Sequence, residues 1–300
     1  MRGVVLALGT FDGVHLGHQA VLSRAVEEGV RKEQAVVAAT FEPHPRAVLN
    51  PGAAPELLTT LELRREALEM YGAERVCVIR FDKDLSRKSP EEFVRDVLVE
   101  DLGAETVVVG ENFRFGYRAS GDVDDLDRLM RSYGGTAISV PIKGVNGGVE
   151  VNSTRIRRLV SDGEVGRATR LLGCPYLVRG EVIVGEKRGR TIGFPTANVV
   201  SEPSLLIPGR GVYAGFAWFG QEKYAACTNI GVAPTFQRGE NKVEAYLLDF
   251  DEDIYGKTID LSFVERIRDE RRFSGIEELK AQIARDVEQA RRIAEASRTI

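Results

Sequence analysis

Cysteine, histidine and methionine are scarce in this chain, three of each in 300 residues, and there is one tryptophan. Cys77, Cys174 and Cys227 are odd in number and far apart. They form neither a disulfide framework nor a metal motif, so a reducing cytoplasm is the expected home. Long hydrophobic runs are missing as well. No apolar stretch approaches the ~20 residues that cross a bilayer. The apolar start Val4–Leu8 is soon followed by Asp12 and is too short for a signal peptide. An excess of one charge is also lacking. Against 45 Asp+Glu stand 41 Lys+Arg, a net charge of −4, and no nucleic-acid or membrane partner is expected. There is no internal repeat and no low-complexity tract. What remains is 43% hydrophobic and 29% charged, a composition with a real core, over a length that suggests two domains.

The few histidines are not scattered. His15, His18 and His44 all fall in the first fifty residues. The first two belong to Gly9-Thr10-Phe11-Asp12-Gly13-Val14-His15-Leu16-Gly17-His18. An apolar strand-like segment precedes this stretch, and an amphipathic pattern from Leu16 to Arg31 follows it. Strand, glycine-rich turn and helix start together suit a phosphate, through free backbone N–H groups and the positive end of the helix dipole. His15 and His18 are three apart and share one face at the helix start. That position is wet, so neither is expected to matter to the fold. Two imidazoles there can donate to charge building on phosphate oxygens. His44 sits in Thr40-Phe41-Glu42-Pro43-His44-Pro45, just after the next apolar segment.

The first half alternates. Strands are expected at Val4–Leu8, Ala35–Phe41, Arg75–Phe81, Thr106–Val109 and Ala137–Val140, with helices between them. Two helices begin at Thr59-Thr60-Leu61-Glu62 and Ser89-Pro90-Glu91-Glu92, both with Ser/Thr-x-x-Glu caps, and a third spans Asp122 to Ser132. The pattern predicts a parallel sheet with helices on both faces. Ligand loops would then lie beyond the strand ends. One candidate is Gly110-Glu111-Asn112-Phe113-Arg114-Phe115-Gly116, whose aromatics and Arg either meet a ring and a phosphate or pack on their own domain. Another is Asn152-Ser153-Thr154-Arg155-Ile156-Arg157-Arg158, a triphosphate clamp or a plain helix cap followed by solvated arginines. A short helix ending at Gly173 leads to the domain boundary, near residues 160–178.

The second half changes character. Tyr176–Val184, Thr196–Val200, Val212–Phe219, Tyr224–Ile230, Val243–Leu248 and Thr258–Val264 are short, rich in β-branched and aromatic residues, and punctuated by Gly, Pro, Asn and Asp. They predict a small antiparallel barrel, closed by an amphipathic helix from Ile276 to Ala296. Gly185 to Gly193, with Gly189 and Arg190 between, is either a phosphate-wrapping loop or a hairpin with a basic tip. It is not a Walker loop. Thr196 and Asn198 alternate along an extended segment, so both face one side, where their oxygens could hold Mg²⁺. Glu244 shares a strand face with Tyr246 and Leu248, as a general base for a hydroxyl or simply as a solvent-side residue.

Taken together, these motifs resemble the prokaryotic bifunctional riboflavin kinase/FAD synthetases, in order and over essentially the whole chain. The His-x-Gly-His element is common to many adenylyltransferases. Gly193-Phe194-Pro195-Thr196-Ala197-Asn198 is far more specific, and Asn229-Ile230-Gly231 and Glu244 to Phe250 extend the match. The chain begins almost at its first strand, whereas members usually carry a short leader. Asn152 stands where the family often has Ser, and Ala245-Tyr246 replaces the usual Thr-His.

The resemblance implies a Rossmann-like FMN adenylyltransferase domain over residues 1–160, a linker helix over 161–177 and a riboflavin kinase barrel over 178–300. ATP would phosphorylate riboflavin to FMN in the second module. A further ATP would adenylylate FMN to FAD, releasing pyrophosphate, in the first. His15 and His18 would stabilise the α-phosphate, with Gly9, Thr10, Phe11, Asp12, Gly13, Gly17, Asn112, Ser153, Thr154 and Arg157 on the nucleotide. Phe41, Pro43, His44, Pro45 and Phe113 would face the flavin. In the kinase, Glu244 would be the base, Thr196 and Asn198 would hold Mg²⁺, and Gly185, Gly189, Arg190 and Gly193 would lie along the nucleotide. Two other readings compete: an HxGH adenylyltransferase for another acceptor, and a flavin-binding module without catalysis.

Overall fold

A computed structural model describes residues 3–141, 150–185, 189, 192–232 and 241–297. The chain divides into two compact units, Met1–Ser153 and Thr154–Ile300.

The first unit is a five-stranded parallel sheet in the order β3-β2-β1-β4-β5. The strands are β1 (Val4–Leu8), β2 (Val36–Glu42), β3 (Arg75–Arg80), β4 (Ala104–Gly110) and β5 (Thr136–Val140). Its inner strands are apolar on both faces, because helices cover both. Leu6, Leu8, Val107 and Val109 point into one core with Phe93, Leu98, Leu126 and Met130. Val5, Ala7 and Val108 point into the other with Val21, Leu22, Ala25 and Leu68. The helices are α1 (Leu16–Lys32), α2 (Pro45–Leu49), α3 (Leu61–Met70), α4 (Pro90–Glu92, continued with π-type winding through Phe93–Asp101) and α5 (Val123–Ser132). The cap expected at Ser89 is present as a reciprocal Ser89–Glu92 box. At α3 the cap lies one residue later than the sequence pattern suggests. Thr60 accepts from the Leu63 N–H, and Thr59 is diverted to the turn after β1. The strand order reverses at β1, so the crevice beyond β1 and β4 is the natural ligand site of this sheet. The Gly9–His18 turn leaves β1 at that point and the 110–116 loop leaves β4.

The second unit is a closed six-stranded antiparallel barrel, β10-β7-β6-β11-β8-β9. Its strands are β6 (Tyr176–Ile183), β7 (Ala197–Ser201), β8 (Gly211–Phe219), β9 (Glu222–Val232), β10 (Asn241–Leu247) and β11 (Thr258–Arg268). Closure leaves no unpaired edge. Two helices, α6 (Ser153–Ser161) and α7 (Val165–Leu172), precede the barrel and, Ser153 apart, fall within this compact unit. Helix α7 ends at Gly173 in the left-handed region, φ 82°, as glycine allows. A long α8 (Ile276–Ala296) packs Ala290 against Val212, Ala214, Cys227 and Leu248. It is also tied down by a bidentate pair: Arg268 Nε and Nη2 donate to the almost fully buried Asp286 carboxylate at 2.9 and 2.7 Å.

Candidate active sites

The turn after β1 is held by interactions the sequence does not announce. Phe11 and Val14 both have positive φ, 51° and 37°, a conformation that is costly for bulky or branched side chains. Phe11 offsets that by burying its ring in the core. A Cβ on Gly9 would lie 3.3 Å from that ring, so Gly9 leaves the close approach open. Asp12 is fully buried, and its carboxylate accepts from the N–H groups of Leu58 (2.9 Å) and Thr59 (3.1 Å). Thr59 Oγ1 accepts in turn from the Gly13 N–H at 3.1 Å. The expectation of free N–H groups along the turn is therefore corrected at three positions. Gly9, Gly13 and Val14 donate within the protein, to Ala39, Thr59 and Phe11.

His15 is not on a wet surface, as the sequence suggested. It is 4% exposed and is the N-cap of α1, its Nδ1 accepting from the His18 N–H at 3.3 Å. An accepting Nδ1 puts the proton of the neutral ring on Nε2. The two imidazoles stack, with centroids 3.6 Å apart and planes within 13°, and Phe11 meets His18 edge-on at 5.2 Å. His18 Nδ1 is buried without a hydrogen-bond partner among the described residues. Burial, then His15, then the Arg64 guanidinium hold His18 well below the usual histidine range, so it is neutral at pH 7. The first turn of α1 carries no acidic residue, which keeps its positive end available to an anion.

The other residues expected to serve this reaction divide. Gly17 is buried in the first turn of α1, and Thr10 offers its carbonyl to the Thr40 hydroxyl at 2.9 Å. Ser153 Oγ donates to the Asp12 carbonyl at 3.1 Å. Thr154 is exposed and Arg157 half-buried on α6. Phe41 lies in the core, edge-on to Phe81, and its ring is not at the surface. Pro43 follows a cis peptide, and His44 caps α2, of which Pro45 is the first residue. Asn112 is exposed at the end of β4. Phe113 stacks on Phe115, which packs against Phe93, while Arg114 pairs with Asp122 at 3.2 Å. Phe115 is thus spent on its own unit, while Phe113 stays half-buried.

In the barrel, register builds the site. Glu244 is directly opposite Asn198 on β7 and directly opposite Asn229 on β9. Val243, Ala245 and Leu247 face the barrel interior, whereas Glu244 and Tyr246 line a cavity of about 580 Å³. Thr196, Asn198, Asn229, Lys242 and Arg268 also line it. Glu244 is thus not simply a solvent-side residue; Lys242 Nζ lies 2.9 Å from its Oε1. Asn198 Oδ1 is buried without a hydrogen-bond partner among the described residues. Gly185 leaves room for that amide, since a Cβ there would come within 2.2 Å of Asn198 Nδ2. Gly189 does the same against the Phe194 carbonyl. Gly193 has φ 88°, and Arg190 lies outside the described residues. Cys227, on the cavity wall, is pushed up to about 12 by burial first and Asp286 second, so it stays a thiol.

A family model for FAD synthetase matches residues 1–155 and one for riboflavin kinase matches residues 172–294. The bifunctional riboflavin kinase/FMN adenylyltransferase of Escherichia coli strain K12 is 38% identical, over 95% of this chain and 91% of its own length. The chain belongs to that family. The enzyme of the same name from Bacillus subtilis is 39% identical over equal shares of the two chains. A crystal structure described as a macrolide-efflux protein from Streptococcus pneumoniae superposes with a TM-score of 0.88. It is 31% identical and matches across 97% of this chain and 95% of that one. The order of the modules agrees with the architecture: the parallel sheet is an FAD synthetase domain and the barrel a riboflavin kinase domain. The substrates are accordingly riboflavin, FMN and ATP, and the product is FAD.

Sequence reasoning missed Thr59 and Arg64. Thr59 was assigned to a helix cap, and Arg64, within a charged helix, gave no signal that it would be fully buried. Among the described residues no group of three His, Cys, Asp or Glu is placed to hold a metal, and no helix is long and apolar enough to cross a membrane.

Proposed function

We propose that the stacked histidines after β1 and the Asn198–Glu244–Asn229 row of the barrel are the two catalytic centres. In the barrel, Glu244 takes the proton of the riboflavin 5′-hydroxyl as that oxygen attacks the γ-phosphorus of ATP, and ADP leaves. Glu244 is well suited, being held on a cavity wall by ladders on both sides rather than on a loop. The Thr196 hydroxyl and the orphaned Asn198 Oδ1 offer a hard, oxygen-only donor pair facing that cavity. They fit Mg²⁺, an ion that takes few protein ligands and completes its shell from phosphates and water. When bound, it neutralises charge on the transferring phosphate. Gly185, Gly189 and Gly193 lie along the nucleotide.

In the first unit, an FMN phosphate oxygen attacks the α-phosphorus of ATP and pyrophosphate leaves. Neutral His18 and His15 donate hydrogen bonds to the α-phosphate as charge grows on it. Ser153, Thr154 and Arg157 hold the outer phosphates. Asn112, Phe113, Pro43, His44 and Pro45 border the flavin side, and Phe41 supports them from the core. Asp12 serves the turn through Leu58 and Thr59. Residues 1–160 carry adenylyl transfer, 178–300 carry phosphorylation, and 161–177 join them. The protein acts in the cytoplasm on small molecules, with no nucleic-acid or membrane partner.

The observation that carries this reading is the strand register that sets Glu244 between Asn198 and Asn229 on the cavity wall. Incubation with riboflavin and MgATP, followed by chromatographic separation of flavins, tests it. The wild type should make FMN and then FAD, and Glu244→Gln should make both far more slowly from riboflavin but FAD at the wild-type rate when FMN is supplied. Undiminished riboflavin phosphorylation by Glu244→Gln would remove the assignment.

A further inference from the structure

Arg64 is the largest fully buried side chain in the molecule's described part, and an arginine in that position needs a reason. Its Nη1 donates to Thr40 Oγ1 at 3.3 Å and to the Phe41 carbonyl at 3.2 Å. Its Nη2 donates to the Thr59 carbonyl at 3.4 Å, and Glu42 Oε2 lies 3.6 Å from Nη1. Each partner leads to a different part of the adenylyltransferase site. The Thr40 hydroxyl passes the contact on to the Thr10 carbonyl in the nucleotide turn. Phe41 and Glu42 begin the segment that runs through Pro43 to His44. Thr59 carries the Asp12 and Gly13 contacts.

We propose that Arg64 is a positioning residue for adenylyl transfer: one buried guanidinium holds the nucleotide turn, the flavin-side segment and the Thr59 segment in a single arrangement. The proposal rests on the reading of the histidine turn as the adenylyltransferase centre. A planar fork reaches three acceptors at once, which a lysine ammonium at the same depth does less well. Three loops fixed to one group set the distance between the two substrates, the quantity on which a reaction between them depends most steeply. The same cation faces His18. His15 is stacked on that ring; Asp12, earlier in the same turn, has its carboxylate turned to Leu58 and Thr59, and Glu42 lies beside Arg64. The charge of Arg64 opposes a proton on His18 and so favours the neutral donor.

The test uses the full chain, with FAD formation from FMN and MgATP measured against pH, and riboflavin phosphorylation as an internal control. Arg64→Lys keeps the charge and loses the fork. It should lower kcat/KM for FMN about tenfold or more and leave the acid limb of the pH profile in place. Arg64→Gln loses both and should, in addition, move that limb to higher pH. Riboflavin phosphorylation should stay at the wild-type rate in both. Arg64→Lys with wild-type kcat and KM for FMN overturns the proposal, as does an unmoved acid limb in Arg64→Gln. If Arg64→Gln does not fold, Arg64→Lys decides alone. His18→Ala separates this proposal from the reading beneath it. Should His18→Ala abolish FAD synthesis while both Arg64 variants behave as wild type, the site stands and only the role of Arg64 falls. Normal FAD synthesis by His18→Ala would instead remove the site itself.

Discussion

Glu244 and Asn198 face each other across the antiparallel β7–β10 pair, so carboxylate and amide share one wall of the barrel cavity. Opposed residues in such a ladder sit with Cβ atoms about 5 Å apart, close enough to act on one phosphate and its acceptor hydroxyl. If Glu244 is the base, Glu244→Gln should cut FMN formation about 10- to 100-fold. FAD formation from supplied FMN should be unchanged. Parallel loss of both activities, followed by chromatography, would point to misfolding instead.

The amide opposite has its own requirement. A Cβ at Gly185 would come within 2.2 Å of Asn198 Nδ2, so Gly185→Ala must push that side chain out of place. The backbone at Gly185 has no positive φ, which leaves crowding as the only cost. Riboflavin kinase activity should fall mainly through a higher KM for MgATP, while FAD synthesis from FMN holds. An unaltered KM for MgATP would show that Asn198 does not touch the nucleotide.

How much of this could be read from the sequence depended on range. Alternation of strand and helix, the cap at Ser89 and the helix start at Asp122 are local patterns, and they appear where expected. Glu244 was legible as a residue but not as a site, because its partners Asn198 and Asn229 come from strands far away in the chain. The histidine pair was legible by spacing, yet its burial was not. Asp12 draws in Leu58 and Thr59 to the same turn that buries His15, through contacts that span about 46 positions and leave no periodic trace. Arg64 was hidden for the same reason. A charged residue in a charged helix reads as solvated unless its three acceptors are known.

Asp12 should matter to stability as much as to chemistry. Asp12→Ala leaves the buried N–H of Leu58 and that of Thr59 without their acceptor. Orphaned donors cost roughly 1–3 kcal/mol each, so about 2–6 kcal/mol should be lost. Denaturant unfolding should show an early transition for the sheet unit, with the barrel transition and riboflavin phosphorylation kept. Coincident, unshifted transitions would contradict this.

Where the kinase module starts can be tested by truncation. Val165, Ala168, Leu171 and Leu172 of α7 are buried, and α7 belongs to the same compact unit as the barrel. Full burial of the Val and Leu side chains among them is worth about 1.5–3 kcal/mol each, comparable in sum to the ~5–15 kcal/mol that stabilises a domain. A fragment beginning at Thr154 should therefore fold and make FMN but no FAD. One beginning at Pro175 should melt at a clearly lower temperature. Equal melting points would show that α7 contributes nothing to the barrel.

The histidine pair sets two pH effects of opposite practical sense. His18 is held well below the usual histidine range by burial, His15 and Arg64. In the unfolded chain it would titrate near 6.5. Between that value and its lowered folded value the unfolded state binds the extra proton, so stability falls as pH drops through this window. Activity behaves otherwise: His18 stays neutral below pH 6.5, so the acid limb of FAD synthesis should lie under that value. If His18 donates to charge present only in the transition state, the loss in His18→Ala should appear in kcat rather than KM for ATP. By analogy with other preorganised donors it should amount to about 10²-fold or more. Fed riboflavin and ATP, this variant should accumulate FMN with FAD almost absent. His15 differs, because it also caps α1 and is buried. His15→Ala should lower thermal stability by the ~1 kcal/mol of a lost cap, whereas His18→Ala should not. A defect in His18→Ala that high ATP cures would reduce His18 to a binding residue, and the mechanism drawn from the stacked pair would have to be abandoned.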